Sequence, residues 1–421
     1  VDDRLQDFHK LIPIKKQPKN LSFQSKRQLS TQSTGINTSA AEKTNKKGGS
    51  PIMKLSVNQA LLSKVLNVVS KAVSSRTTIP ILKGILLKTT PEGLKLSSSD
   101  LDISIEKTVP VTVLEEGSVV VPASLFTDIV KMLPNGDVEI ETDPSLNVTI
   151  RCLTSEYTIV GQAPDEFPNI GEINAREVFE FDKNTFRDMI TKTAFAASID
   201  ESKGIIVGIL MELDEGRMNM VALDGFRMAV ARSSVPSLDR KKIIISARIL
   251  NEINKIIMDI PDAETVRLTL DEKRGVVDIS DTKIIIRLLE GEFIRYKDIL
   301  PKEHKVRVNV NRKELVDSIE RASVMARKGK NNLIVLSVTE DRMTITSRSE
   351  EGTVREELFI NLEGEELKIG FNAKFILDAL KAVDDDEVLL DMNTSVSPCL
   401  IKPVSGNAYE YLILPVRISS N

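Results

Sequence analysis

The sequence predicts an α+β protein made of three repeats of one unit, each with two helices packed on antiparallel sheets. The first observation is a strand–helix–strand grammar that occurs three times: VVVPASLFTDIVKMLPNGDVEIET over 119–142, IIISARILNEINKII with TVRLTL over 243–270, and LKIGFNAKFILDALKAV with EVLLDM over 367–392. With Pro122, Ser246 and Asn372 in register, the copies stand 124 and 126 residues apart. Apolar residues then coincide three, four and seven positions on: Leu125, Phe126 and Ile129; Ile249, Leu250 and Ile253; Phe375, Ile376 and Ala379. That spacing buries one face of a helix, and a recurrence of this length sets the architecture.

The second observation is that each repeat is itself doubled. KLSVNQALLSKVLNVVSKAV, FEFDKNTFRDMITKTAFAA and VRVNVNRKELVDSIERASVMA each read as a short strand, a cap and a helix. Asn58, Asp182 and Asn311 are the expected caps, because their side chains can accept from the free N–H groups of a first turn. Leu62 and Leu66, Phe186 and Ile190, and Leu315 and Ile319 follow four and eight residues on. Six helices result. The intervening segments, among them GILLKTT, GLKLSSSDLDISIE, RMNMVALDGFRMAVAR and RMTITSRSEEGTVREELFI, alternate between turn residues and read as antiparallel strands.

Bulk properties agree. A chain of 421 residues with 41% hydrophobic and 28% charged residues has the composition of an ordinary globular protein, and repeats of about 125 residues suit the usual domain size. Trp is absent and aromatic residues are only 4%, so aliphatic side chains must fill the cores. No apolar run approaches the roughly 20 residues of a membrane span. Two cysteines, Cys152 and Cys399, cannot form a disulfide framework, and a reducing, cytoplasmic setting is expected. Residues 1–52 lack hydrophobic periodicity, end in KKGGSPI and carry ten Lys/Arg against four Asp/Glu, so a disordered basic extension is expected. It reads either as a nucleic-acid or partner tail or as an upstream translated extension with the functional start at Met53. The repeats then occupy 53–175, 176–300 and 301–421.

Enzyme signatures are missing from the sequence. It holds no GxxxxGK[ST] loop, GxGxxG fingerprint, HExxH or CxxC. His9 and His304 are the only histidines, and His304 falls in a Pro/Lys/Glu-rich connector, a poor setting for a Ser–His–Asp device. The acidic run Asp384, Asp385, Asp386 and Glu387 reads as a solvated turn, and the carboxylates of SSSDLDIS and ALDGFR as turn devices. No catalytic residue, metal ligand or cofactor is expected.

Charge is sorted by element. The body after residue 52 is −10 overall, yet the six helices carry fifteen Lys/Arg against seven Asp/Glu. Helix propensity favours Glu as well as Lys, so a one-signed excess needs another cause. If the six helices share a side, that side is basic inside an acidic shell, which suits phosphate backbones held without sequence reading.

SSRTTIPILKGILL, SSSDLDISI, QAPDEFPNI, ALDGFRMAVA, GEFIRYKDILPK, IGFNAKFILDAL and YLILPVRI together resemble the bacterial DNA polymerase III beta subunit, the replication sliding clamp, over nearly all of the chain after Met53. The resemblance implies three DNA-clamp domains, a head-to-tail homodimeric ring around double-stranded DNA, and a non-catalytic processivity role at replication forks on the nucleoid. Implied partners are the polymerase III alpha subunit, a clamp-loader ATPase and other proteins carrying a clamp-binding peptide. Residues expected toward DNA are Arg76, Lys203, Lys64, Lys71, Arg248, Arg321, Arg327 and Lys328. The peptide pocket would use Ile206, Leu223, Gly225, Phe226, Arg227 and Met228, with Ile294 and Ile299 from the connector. Asn331, Asn372, Phe375, Val396, Pro398 and the tail Leu412, Ile413, Leu414, Pro415, Val416, Arg417 and Ile418 would complete it. Phe126, Met325 and Ala326 are the expected dimer contacts. Three departures bear on the pocket and channel: Phe226 replaces a frequent His, Ile294 and Asp298 replace Pro and a basic residue, and Lys203-Gly204 stands where some members have DNA-contacting aromatics. A monomeric repeat scaffold is the alternative without a ring, and a carboxylate-dependent hydrolase the alternative with chemistry.

Overall fold

Strands and helices alternate as the doubled repeat requires. The computed structural model describes residues 53–74, 77–169, 171, 177–236 and 240–418. The basic extension and Arg76 lie outside the described residues. The first repeat runs β1 (Lys54–Asn58), α1 (Gln59–Val69), β2 (Gly84–Thr90), β3 (Gly93–Ser99), β4 (Ile103–Val109), β5 (Thr112–Glu115), β6 (Ser118–Pro122), α2 (Ala123–Met132), β7 (Asp137–Thr142), β8 (Asn147–Cys152) and β9 (Ser155–Val160). The second runs β10 (Glu177–Asp182), α3 (Lys183–Ala194), β11 (Gly208–Asp214), β12 (Arg217–Leu223), β13 (Arg227–Ser234), β14 (Lys241–Ser246), α4 (Ala247–Asp259), β15 (Thr265–Leu270), β16 (Arg274–Ile279) and β17 (Thr282–Arg287). The third runs β18 (Val306–Asn311), α5 (Arg312–Ala326), β19 (Leu333–Thr339), β20 (Arg342–Ser349), β21 (Gly352–Phe359), β22 (Asn361–Gly364), β23 (Leu367–Asn372), α6 (Ala373–Lys381), β24 (Glu387–Met392), β25 (Cys399–Pro403) and β26 (Tyr409–Ile413).

The helix starts follow from their caps. Asn58 accepts from the Ala60 and Leu61 N–H groups, Asp182 from Thr185 and Asn311 from Glu314. Among the second-half helices, Asn372 caps α6 by accepting from Lys374, whereas Pro122 and Ser246 make no side-chain cap. The expected apolar pairs Leu62/Leu66, Phe186/Ile190 and Leu315/Ile319 are all fully buried. Leu125 departs from the pattern: it is half exposed, and α2 buries Thr127 and Val130 alongside Phe126 and Ile129.

Two of the four sheets cross from one repeat to the next. An eight-stranded sheet runs β10-β15-β16-β17-β4-β3-β2-β6, and a nine-stranded sheet runs β14-β11-β12-β13-β26-β25-β24-β18-β22. The crossing pairs, β17 with β4 and β26 with β13, are both antiparallel, with Ile284 opposite Ile105 and Tyr411 opposite Ala229. Both junctions thus join the same two strands of the repeat. The remaining sheets, β5-β1-β7-β8-β9 and β21-β20-β19-β23, belong to the first and third repeats alone.

One main core joins the inner sheet faces to the apolar stripes of all six helices. Strand alternation sends other residues to the opposite face. Ile243 and Ile245 enter the main core while Ile244 joins a second cluster; Val119 and Val121 do the same while Val120 joins a third. The connector GEFIRYKDILPKE, between the second and third repeats, covers the outer face of the nine-stranded sheet. Tyr296 is buried there, and its hydroxyl donates to Glu212 Oε2 at 2.7 Å.

Candidate partner-binding recess at the junction of the second and third repeats

The second apolar cluster is built where β13 meets β26. Ile206, Leu223, Met228 and Leu412 are buried in it, and Ile294, Ile299 and Leu414 pack on it half-buried. These predicted pocket residues therefore do come together. Others in the same cluster were missed: Leu210, Val221, Val230, Ile244, Tyr296 and Leu400. Their signal was present, since each follows from strand alternation around a residue already named, or from the connector's own apolar spacing.

The lip of the recess is a turn. Asp224 Oδ1 accepts from the Phe226 and Arg227 N–H groups at 2.9 and 3.1 Å, and Gly225 sits at φ 95°, a left-handed geometry that disfavours a Cβ. The turn holds Phe226 out with 47% of its surface exposed. Its ring stacks on Phe375 of α6, with centroids 6.1 Å apart, and the Lys203 ammonium lies 5.8 Å from its centroid. From the third repeat, the Leu414 N–H donates to the Phe226 carbonyl at 2.9 Å, and Val416 N–H to the Gly370 carbonyl at 2.8 Å. Just before β25, Val396 is half exposed and Pro398 partly buried, while Pro415 and Val416 are half-buried and Arg417 and Ile418 exposed. Asn331 adopts φ 60° before β19, and the Asn372 side chain is used as a helix cap.

Two predicted pocket residues belong elsewhere. Ile413 alternates with Leu412 and Leu414 and is buried in the main core on the helix side. Arg227 alternates with Met228 in the same way. It is buried, bonding Asp224 Oδ2 at 3.0 Å and Asp378 Oδ2 at 2.6 Å, and its guanidinium lies 4.6 Å from the Phe375 centroid. Arg227 supports the aromatic lip from beneath; it does not face the recess.

A cleft of about 910 Å³ lies beside the recess, between 241–244 and the connector 288–298. Of the predicted residues it shares only Ile294, but Leu210, Ile244 and Tyr296 of the same cluster also line it, so it adjoins the recess on the connector side. Its floor holds Glu212. Burial opposes ionisation of that carboxyl, but hydrogen bonds from Lys242 (2.8 Å) and Tyr296, with the Lys297 charge, outweigh burial and hold it below the usual range.

The expected DNA-facing cations divide into two sets. Lys71 pairs with Asp259 at 2.9 Å, Arg248 with Asp100 at 2.7 Å, Arg321 with Glu356 at 2.6 Å and Lys328 with Glu351 at 3.3 Å. The first two bonds tie the first repeat to the second and so neutralise charge that the sequence count treated as available. Lys203 belongs to the recess lip. Lys64 and Arg327 are exposed and make no ion pair among the described residues, as do Lys131 and Lys313, which the prediction omitted.

Of the expected dimer contacts, Phe126 and Ala326 are buried in the main core, at 0% and 1% exposure, and have no surface to offer a second chain. Met325 is half-buried and accepts from Ser349 Oγ at 3.7 Å. Exposed apolar residues of the first and third repeats include Val324 on α5, Tyr157 and Val160 on β9, and Phe359 on β21.

Several of the carboxylates considered for chemistry have structural partners. Asp385 Oδ2 accepts from the Tyr409 hydroxyl at 2.9 Å and its carbonyl from Arg312, and Asp224 shapes the lip. His304 lies 3.7 Å from Asp391, itself bonded by Arg307 and Lys402. Among the described residues, no group of three or more His, Cys, Asp or Glu could hold a metal ion, and no helix is long and apolar enough to cross a membrane.

Family models of the DNA polymerase III beta subunit match the chain in three consecutive pieces: the N-terminal domain over 53–171, the central domain over 180–294 and the C-terminal domain over 297–417. The beta sliding clamp of Staphylococcus aureus (strain Mu50) is 33% identical over 377 residues, covering 87% of this chain and all of that protein. The crystal structure of the DNA polymerase sliding clamp from Bacillus subtilis is 32% identical with a TM-score of 0.83, and that of the beta subunit from Thermotoga maritima 30% identical with 0.82. Each covers 87% of this chain and the whole of its own. The chain therefore belongs to the bacterial DNA polymerase III beta subunit family: it is a sliding clamp of DNA replication, a processivity factor and not a catalytic subunit.

Proposed function

We propose that two copies of this chain pair head to tail into a closed ring around duplex DNA, and that the recess captures short apolar-anchored peptides of the replicative polymerase and other DNA-processing proteins. One observation carries the ring. Strands β4, β13 and β21 are counterparts in the three repeats, as are β9, β17 and β26. Within the chain β4 pairs with β17 and β13 with β26, which leaves β21 and β9 without such partners among the described strands. Repeating the same pairing between chains joins β21 of one copy to β9 of the next and, at two copies, uses up both edges. Tyr157, Val160, Phe359 and Val324 then lie at the seam in place of Phe126 and Ala326.

The ring places its basic helices toward the hole, where Lys64, Lys131, Lys313 and Arg327 can meet phosphates without reading bases. A topological link lets contacts stay weak while the tethered polymerase stays concentrated near the primer end. Opening the ring falls to a clamp-loader ATPase, because the sequence holds no phosphate-binding loop. The alpha subunit of polymerase III is the expected principal peptide partner, in the cytoplasm at the nucleoid.

The test measures mass by sedimentation and retention on DNA. Wild type should run as a dimer and remain on nicked circular DNA but slide off after linearisation. Tyr157→Asp together with Phe359→Asp should run as monomer and lose retention on circles. Equal retention on circular and linear DNA would rule the ring out.

A further inference from the structure

In every repeat the chain leaving the last strand turns back across the outer sheet face and docks at one strand position. Gln162 exchanges hydrogen bonds of 2.8 and 3.0 Å with Val120; the Leu289 N–H donates to the Ile244 carbonyl at 2.9 Å; the Val416 N–H donates to the Gly370 carbonyl at 2.8 Å. Val120, Ile244 and Gly370 each stand two residues before the register positions Pro122, Ser246 and Asn372. The C-terminal segment is thus a third copy of the inter-repeat connector, used here as a wall of the recess.

The side chains beneath the third copy are rearranged. In the first repeat β2 begins with Gly84, where a Cβ would fall 2.4 Å from Val120 Cγ1. In the second, β11 begins with Gly208, where a Cβ would fall 2.6 Å from Ile244 Cγ2. Each glycine makes room for the branched side chain on the neighbouring strand. The third repeat inverts the pair: β19 begins with Leu333, and glycine stands at 370. The registers agree, with Gly84 opposite Pro122, Gly208 opposite Ser246 and Leu333 opposite Asn372. A Cβ at 370 would lie 2.7 Å from the Val416 carbonyl oxygen and 3.0 Å from both Ile418 Cγ1 and Leu333 Cδ1. Bulk has moved one strand over, and the vacated position is filled by tail backbone, which cannot yield as a flexible side-chain end would.

We propose that this Leu333/Gly370 exchange seats the C-terminal segment flat on the third repeat, making Gly370 a positioning residue for partner peptides. It acts through Leu414 to Ile418 without touching the peptide. The proposal rests on the peptide-binding reading of the recess.

The experiment compares wild type, Gly370→Ala, Gly370→Val, Leu333→Gly/Gly370→Val and Phe226→Ala, each full length. The probe is a fluorescein-labelled octapeptide ending in Leu-Phe, read by anisotropy, with thermal melting and amide exchange of 414–418 alongside. Gly370→Ala should weaken binding about tenfold and speed tail exchange, because its one added carbon already overlaps the Val416 carbonyl. Gly370→Val should do so more strongly and also lower Tm. The double variant restores the arrangement of the first two repeats, so Tm should recover while peptide affinity and tail protection stay low. Unchanged affinity in Gly370→Ala, or recovery of affinity together with Tm in the double variant, would overturn the positioning role. Failure of wild type to bind the probe, or binding indifferent to Phe226→Ala, would instead overturn the recess as a peptide site.

Discussion

The two junctions inside this chain join the same strands of the repeat and do different things. Where the first repeat meets the second, polar groups fasten the contact: Arg248 to Asp100, Lys71 to Asp259, and Lys107 to Asp281 and Thr282. The hollow beside that seam, about 550 Å³, is lined by Asp102, Lys273, Arg287 and other charged groups. Where the second repeat meets the third, Arg227 pairs with Asp378 and Arg232 with Glu410, but Phe195 also packs edge-on to Tyr411, Arg227 is sandwiched between Phe195 and Phe375, and the apolar cluster lies on the outer face. Even the turns correspond. Asp100 accepts from the two N–H groups two and three residues on, as Asp224 does, and Leu101 at φ 78° takes the left-handed place of Gly225. A shared backbone thus makes both hollows, and side-chain polarity decides which can desolvate an apolar anchor.

The contrast can be broken most severely at Arg227. Arg227→Ala leaves Asp224 and Asp378 without their buried partner and should cost roughly 3 kcal/mol in urea unfolding, with loss of peptide binding. Phe226→Ala should weaken peptide binding about tenfold by titration while leaving Tm in place, whereas Leu101→Ala at the other junction should leave peptide binding as it was. A smaller effect is expected on acidification. The Glu212 carboxyl is held low in the fold, so its contribution is present above about pH 4.3 and fades as pH falls through its lowered value. Glu212→Gln should flatten that acid limb of the stability curve. The least effect belongs to Arg248→Ala. Its half-exposed ion pair should contribute about 0.5 kcal/mol, and the difference from wild type should shrink further in high salt.

Much of the fold was legible because it is written in local terms. Caps at Asn58, Asp182 and Asn311 and apolar pairs such as Phe186 and Ile190 depend only on neighbours in sequence. The site was legible where alternation could be counted and illegible where partners are far apart. Arg248 and Asp100 are separated by 148 residues. No local pattern announces that pair, so a cation counted toward DNA proved to be a bolt between repeats. Ile413 and Arg227 were assigned to the recess with their neighbours, although period-two alternation alone would have turned both inward. Phe126 failed for a related reason: its place in the stripe marks it for burial, and the aromatic at the proposed seam is Tyr157, on a strand with no partner along one side among the described strands.

The free edges β9 and β21 have a further cost. A separated copy carries two pairing templates at once, with Val160 and Phe359 each 70% exposed beside open backbone groups. Such edges invite aggregation, and ring closure is what blunts them. In the proposed ring, dilution therefore does more than weaken assembly. It uncovers the β9 and β21 edges of every chain, so apparent folding stability and solubility both follow one concentration-dependent equilibrium.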